Sequence, residues 1–348
     1  EHKILMDCQP CRIKKLTIML KKISEKLEKG GSITFAEAME LMSLQGHECM
    51  ELFSLANRLR ARLGNSVDLC SIVNAKCGLC PEDCKFCAQS AHSDADITPY
   101  PLLDEEELLN MALLMEEEGA ARFCIVTSGK DVEGEEFEKI QSSIRRIRKE
   151  TGLSICVSLG ALTQESLAAL RDSGATRIHH NLETSGNFFH NICTTHTYAE
   201  KIRTVEIARE AGFEVCCGGI IGMGETIRDR VELAFTLSKM DIDSVPINIL
   251  DPVKGTPLMD KKPLSPLEIL KTISIFRLIL PEKNIRIAGG REKNLRDLQS
   301  LSLLAGANGL LLGNYLTTLG RAPEADIQMI HDLGLVPGGL HFNDIIGE

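Results

Sequence analysis

No stretch of the 348-residue chain is apolar over anything near the ~20 residues of a membrane-spanning helix. No basic-then-apolar secretory leader opens it, so a soluble, cytoplasmic protein is expected. Positive charge is in the minority. Against 49 Asp and Glu stand 39 Lys and Arg, and the net charge of -10 speaks against a nucleic-acid or anionic-membrane partner. Tryptophan is absent and tyrosine numbers three, which excludes nothing. What the chain does have is cysteine, 13 in all. Without an export signal these read as metal or redox ligands rather than a disulfide framework.

From residue 68 the pattern alternates strand and helix, which calls for a parallel sheet. Strands are expected at 70–75, 122–127, 154–159, 176–181, 214–220, 244–249, 284–289 and 309–312. Helical periodicity falls between them, for example at 104–118, 164–173, 198–211, 227–240, 266–280 and 295–305. Eight such units imply an α/β fold of the closed (β/α)8 barrel type. An open doubly wound sheet would have fewer strands and a G-x-G-x-x-G turn after the first, and that turn is missing. Before the barrel, residues 1–67 form a helical extension. A basic amphipathic helix is expected at 12–29, with Ile13, Leu16, Ile18, Leu20 and Ile23 apolar. A second at 35–44 opens on the Thr34/Glu37 capping box, and a third spans 47–63. The barrel is expected to occupy 68–335 and a tail 336–348.

Directly after the first strand lies GLCPEDCKFCA, residues 78–88, in which Cys80, Cys84 and Cys87 follow a C-x3-C-x2-C spacing. Thiolates this close suit an iron-sulfur cluster. Three sulfurs for four irons would leave one iron open to a small molecule. A structural zinc loop is the other reading, but zinc usually takes paired C-x2-C knuckles and four ligands. In a barrel the loops after the strands carry function, so this loop caps the catalytic end.

Three further cysteines sit mid-strand: Cys124, Cys156 and Cys216. Each alone would pass for a small core residue. Recurring at similar depth on three strands, they read as a second metal site. Arg286, flanked by apolar residues on the seventh strand, needs an anionic partner if it points inward. A thiolate-ligated cluster would serve.

The C-x3-C-x2-C spacing is the signature of radical S-adenosylmethionine (SAM) enzymes, and the chain resembles the biotin synthase family over nearly all of 68–335. The resemblance rests on NAKCGLCPEDCKFCAQS (74–90), RFCIVTSG (122–129), HNLETS (180–185), NICTTHTY (191–198), CGGIIGMGET (217–226), VPIN (245–248) and RIAGGRE (286–292). It implies that Cys80, Cys84 and Cys87 bind a 4Fe-4S cluster whose open iron takes SAM. It implies that Cys124, Cys156, Cys216 and Arg286 hold an auxiliary cluster, 2Fe-2S in the family's best-known members. Glu183 is expected on the SAM ribose, Lys201 near its carboxylate, and Phe86 and Ile220 beside the adenine. Asn181 and Asn248 are expected to hydrogen-bond SAM or the ureido ring of dethiobiotin. The implied reaction inserts sulfur into dethiobiotin. A 5′-deoxyadenosyl radical abstracts hydrogen and the auxiliary cluster donates the sulfur, so no side chain is expected to act as acid or base. A flavodoxin or ferredoxin is the implied reductant, and a homodimer the implied assembly.

The chain departs from the family pattern in places. His179 stands where many relatives have Asn, and is expected to face the substrate or to be a polar barrel residue. Glu183 and Lys201 replace Asp and Arg of some relatives. Cys217 follows Cys216, and neighbours on a strand point to opposite faces, so one of the two should face inward unless the strand bulges. Cys8 and Cys11 form a C-x2-C pair near the start. If Cys217, Cys8 or Cys11 reached the barrel, the auxiliary cluster would be a larger, four-iron cluster with an extra sulfide. Cys49, Cys70, Cys77 and Cys193 read as structural, with Cys77 near the cluster loop. Another radical SAM barrel of the hydrogenase-maturation type is the alternative function, and an iron-sulfur sensor or carrier without turnover a third.

Overall fold

The computed structural model describes residues 9–338, with side chains from Leu16 onward. Ten strands run β1 (Ser66–Lys76), β2 (Arg122–Thr127), β3 (Ser154–Ser158), β4 (Arg177–His179), β5 (Glu214–Cys216), β6 (Gly219–Ile221), β7 (Ser244–Ile249), β8 (Asn284–Ile287), β9 (Gly309–Leu312) and β10 (Val336–Gly338). All pair in parallel, and β9 returns to β1 from Asp68↔Gly309 to Ser71↔Leu312, which closes the sheet. Because β5 and β6 share one position and β10 is an appendage on the start of β1, the closed barrel has eight positions. The barrel is as expected.

Its helices cover the sheet by burying one apolar stripe each. In Gly134–Glu150, Ile140, Ile144 and Ile147 are spaced four and three residues apart and fully buried. Each such side chain contributes roughly 1.5–3 kcal/mol by leaving water. The helix Pro266–Ile279 is buried on nearly every side, because the N-terminal helices Phe35–Met42 and Glu48–Ala61 cover the face that would meet solvent. Buried Lys271 on that helix donates to Met42 O (2.8 Å) and Leu44 O (3.0 Å). Its charge thus satisfies the open carbonyls at the end of Phe35–Met42. At the other end, Thr34 Oγ1 accepts from Glu37 N (3.2 Å) and Glu37 Oε2 from Thr34 N (2.6 Å), the expected capping box. Leu16, Leu20, Ile23 and Leu27 of Gln9–Glu28 are buried, whereas Ile18 is 47% exposed.

Two expected elements are interrupted. The fifth strand, expected to be continuous over 214–220, breaks at Cys217–Gly218. A Cβ on Gly218 would stand 2.0 Å from Pro246 O, and one on Gly219 would stand 2.4 Å from Glu183 O. Two glycines let the neighbouring backbones close in, and the ladder shifts there. The helix expected at 295–305 is broken: Arg291–Leu295 stops at Arg296, whose φ is +54°, a 3₁₀ turn follows at Arg296–Leu298, and Gln299–Leu304 completes it.

Candidate active site

The loop after β1 is held by its own backbone. Cys77 and Tyr100 exchange two hydrogen bonds (3.1 and 3.2 Å), Cys80 N donates to Gln89 O (3.0 Å), and Ala91 N donates to Cys80 O (2.7 Å). Ser90 Oγ donates to Glu82 O (2.6 Å) and Gly78 N to Gln89 Oε1 (3.2 Å). These ties place Cys80, Cys84 and Cys87, each half-buried, over the C-terminal ends of the strands. Burial pushes the Cys87 thiol up to about 11. The three sulfurs do not converge as the ligands of one ion would. Among the described residues, the group whose ligand atoms all lie within 4.8 Å of one another is Cys84, Cys193 and His196.

Beneath the loop the barrel encloses a cavity of about 340 Å³. Its lower wall is sulfur and guanidinium. Cys124 lies level with Cys156 across the β2–β3 ladder, and Cys216 lies level with His179 across β4–β5. Cys70 of β1, on the same face as Ile72, which pairs with Cys124, lines the cavity with them. Arg122, Arg177 and Arg286 line the cavity with the thiols, Arg177 level with Cys156 across the β3–β4 ladder. Arg177 grips Glu214 Oε2 through Nε (2.9 Å) and Nη2 (2.8 Å), Arg122 reaches the same carboxylate at 3.5 Å, and Arg286 pairs with Asp68. Three guanidinium groups against two carboxylates leave one positive charge over.

That surplus shapes the thiols. Burial alone raises the Cys216 thiol, but the hydrogen bond from His179 and the charges of His179, Arg286 and Arg177 outweigh it and bring it down to about 6. Arg286 Nη1 stands 3.8 Å from the Cys216 sulfur. His179 is raised, because its contact with Cys216 overcomes burial. Cys70 has no such donor, and burial holds it up at about 12.

The upper wall gathers Phe86, Cys87, Asn181, Glu183, Ile220 and Asn248. Glu183 sits on the strained turn after β4, at φ +69°, fixed by Ile220 N→Glu183 O (2.8 Å) and Glu183 N→Gly218 O (3.2 Å). Asn181 Oδ1 accepts from Gly218 N (3.0 Å), and Asn248 Oδ1 accepts from Gly289 N (3.0 Å). Lys201 stands outside the cavity lining, where its charge acts on both Cys84 and Glu183.

Residues 77–237 match the radical SAM superfamily, and residues 246–336 match the biotin and thiamin synthesis associated domain. The biotin synthase of Carboxydothermus hydrogenoformans is 52% identical over 316 residues, which is 90% of this chain and 97% of that protein. That of Geotalea daltonii is 51% identical over 318 residues, 91% and 97% of the two chains. The chain belongs to the biotin synthase family. Its barrel also superposes on methylornithine synthase PylB (TM-score 0.80, 22% identity, 93% of this chain and 98% of that one). The same holds for the hydrogenase maturase HydG of C. hydrogenoformans (TM-score 0.78, 18% identity, 94% and 81%). At such identities these two likenesses concern the fold alone.

Two observations test whether the cavity suits the groups that a radical SAM enzyme of this family carries. Glu183 Oε2 is buried with no hydrogen-bond partner, an acceptor left for a polar ligand such as a ribose hydroxyl. Arg286 Nε and Arg177 Nη1 are likewise buried and unpartnered beside the thiols, as donors to an anionic cluster would be. The donor set fits.

Not every residue singled out in the sequence reaches this cavity. Cys217 packs into the apolar layer outside the barrel, on the face opposite Cys216, and burial raises its thiol. Cys8 and the side chain of Cys11 lie outside the described residues. Cys49 packs in the core and Cys77 is buried at the start of the loop. The carboxylate of Glu225 turns back on its own loop, accepting from Gly222 N (2.7 Å), Gly224 N (3.1 Å) and Arg230 Nε (2.7 Å). Sequence reasoning missed Cys70, Arg177, Arg122 and Asp68. For Cys70 a signal existed in strand parity, since it lies two residues before Ile72, but the parity is useless until the β1–β2 register is known.

Proposed function

We propose that the protein makes biotin from dethiobiotin by radical sulfur insertion, with the thiol-and-arginine floor as the site of the sulfur-donating cluster. The observation that carries this reading is the pairing, in one cavity, of those thiols and guanidinium groups with an upper wall where Glu183 Oε2 is buried and unpartnered. When bound, the four-iron cluster and SAM supply a 5′-deoxyadenosyl radical, and the auxiliary cluster supplies the sulfur. The chain's own residues bind, orient and shield. Cys80, Cys84 and Cys87 would hold the four-iron cluster, and Glu183 would accept hydrogen bonds from the SAM ribose between Phe86 and Ile220. Lys201 would neutralise the methionine carboxylate. Asn181 Oδ1 is committed to Gly218 N–H and its amide also acts on the Glu183 carboxyl, which leaves the second N–H of the NH₂ group to donate, as a ureido carbonyl requires. Asn248, held from both sides by Gly219 and Gly289, would set the substrate's position.

Cys124, Cys156, Cys216 and Arg286 would hold the auxiliary cluster, with His179 donating to Cys216. Cys70 lines the same cavity as a fourth thiol, and since 2Fe-2S and four-iron clusters both take four protein ligands, the 2Fe-2S of the family's best-known members needs no further sulfur from Cys217. The barrel wall keeps water and stray hydrogen donors from the radical. By the same resemblance, the reductant is a flavodoxin or ferredoxin and the assembly a homodimer. The test is anaerobic incubation of the reconstituted protein with SAM, a reductant and dethiobiotin. Biotin, methionine and 5′-deoxyadenosine should form together. If 5′-deoxyadenosine accumulated while dethiobiotin stayed intact, the substrate assignment would be wrong.

A further inference from the structure

One more set of side chains converges, outside the cavity. The segment after the short helix Gly186–Phe189 folds onto the cysteine loop. Lys85 N donates to Ile192 O (2.9 Å), and Asp83 Oδ1 accepts from Thr194 N (2.8 Å) and Thr195 N (3.2 Å). These ties bring the Cys193 sulfur to 3.8 Å from that of Cys84. They also set His196 Nδ1 and Nε2 at 3.3 and 3.6 Å from Cys193. With zinc–sulfur bonds of about 2.3 Å and zinc–nitrogen bonds of about 2.0 Å, a tetrahedral site separates two sulfurs by about 3.8 Å and sulfur from nitrogen by about 3.5 Å. The observed spacings match both edges. His196 Nδ1 also hydrogen-bonds the Glu82 carboxylate. A carboxylate behind a histidine fixes the ring and leaves Nε2 for a metal. Asp83 Oδ1, 3.2 Å from the Cys193 sulfur, or a water can complete four-coordination. Nothing in the reaction derived above uses Cys193 or His196.

We propose that, before the loop cluster is built, Cys84, Cys193 and His196 bind a single divalent transition-metal ion of the zinc or ferrous type. Thiolate and imidazole ligands select such ions over magnesium or calcium. Since Cys84 is one of the three, the ion and the four-iron cluster exclude each other. Binding of the ion stands on geometry alone, and only this competition rests on reading Cys84 as a cluster ligand.

The test titrates Co²⁺ into reduced, cluster-free full-length protein carrying Cys8→Ala/Cys11→Ala and Cys124→Ala/Cys156→Ala, so that the barrel thiols do not compete for the ion. One equivalent should bind with a thiolate-to-cobalt charge-transfer band and the intense visible bands of a tetrahedral site, displaceable by Zn²⁺. Cys193→Ala and His196→Ala should each abolish that equivalent, and Glu82→Gln should weaken it by ~10–100-fold. Cys80→Ala and Cys87→Ala should leave it in place. Preloading one equivalent of Zn²⁺ should slow iron uptake by the loop, but not in Cys193→Ala. Thermal melting confirms that each variant is folded, with Cys193→Ser substituting where the alanine is not. The proposal is overturned if folded Cys193 and His196 variants keep the cobalt spectrum, or if the parent shows none. Neither SAM nor dethiobiotin is present, so failure here leaves biotin formation untouched, and the reverse.

Discussion

Replacing Glu183 by glutamine should stabilise the protein without SAM and weaken its hold on SAM. Glu183 Oε2 is buried without a partner, and an unsatisfied buried group costs about 1–3 kcal/mol, more when charged. Glutamine keeps the shape and removes the charge, so the cluster-free variant should gain about 1 kcal/mol. At roughly 2 cal/mol/K of unfolding entropy per residue, that is a rise of about 1–2 °C in Tm for a chain of this length. The pH profile gives a second handle. Burial raises the Glu183 carboxyl, and the Lys201 and His179 charges only partly offset this. The folded state therefore holds a proton that the unfolded state has released, and stability falls as pH rises through the raised pKa. The stability difference between variant and parent should be near zero at the acid end and full at neutral pH. With SAM the sign reverses. Loss of a charge-assisted hydrogen bond, about 1.5–3 kcal/mol, corresponds to about 10- to 100-fold in Kd. Differential scanning calorimetry of cluster-free protein and anaerobic titration calorimetry of the reconstituted form read the two effects. A variant that melts below the parent, or binds SAM equally well, would refute the reasoning.

Arg286→Met leaves the half-buried Asp68 without its ion-pair partner and should cost about 1–3 kcal/mol in urea unfolding of cluster-free protein. Adding Asp68→Asn should restore part of the loss, and a double variant no better than the single would count against the pairing. Cys70→Ala should lower the iron and acid-labile sulfide held in the barrel while the loop cluster's electron paramagnetic resonance signal persists; unchanged iron would leave Cys70 a bystander. For Cys216, depressed to about 6 against about 8.5 unfolded, the stabilising share is full above the unfolded value and is lost as pH falls through the folded one. The share of His179, raised by the same contact, is full at low pH and is lost as pH climbs through its folded value. His179→Asn should therefore flatten the Tm-versus-pH curve of the cluster-free protein on both flanks, and superimposable curves would show that the pair does not interact.

The barrel was legible because it rests on local signals: strand and helix periods, Thr34 and Glu37 at capping distance, and cysteine spacing on one loop. Cys124, Cys156 and Cys216 could be grouped because each falls mid-strand in the strands expected from the sequence, although in the structure Cys216 closes β5. Cys70 escaped this logic, since its place depends on how β1 slides against β2. Arg177 and Asp68 escaped for another reason. A charged residue at the start of a strand usually meets solvent, and here both are turned inward by partners far away in sequence, Glu214 and Arg286. The break between β5 and β6 depends on Pro246 and Glu183 approaching two glycines, a tertiary contact with no local trace.

That break has a consequence for how the family's chemistry can be altered. Cys216 ends β5 among the thiols that line the cavity, and Ile220, three residues beyond Cys217, lies in β6 on the cavity's upper wall. The reach between the two halves of the reaction is thus written in a few peptide bonds pinched between rigid neighbours, where no insertion or deletion fits. Attempts to redirect the enzyme to other substrates are better aimed at the rim segment Tyr315–Thr318, where half-buried chain with Thr317 exposed borders the same cavity. There, length can vary without changing the spacing between Cys216 and Ile220.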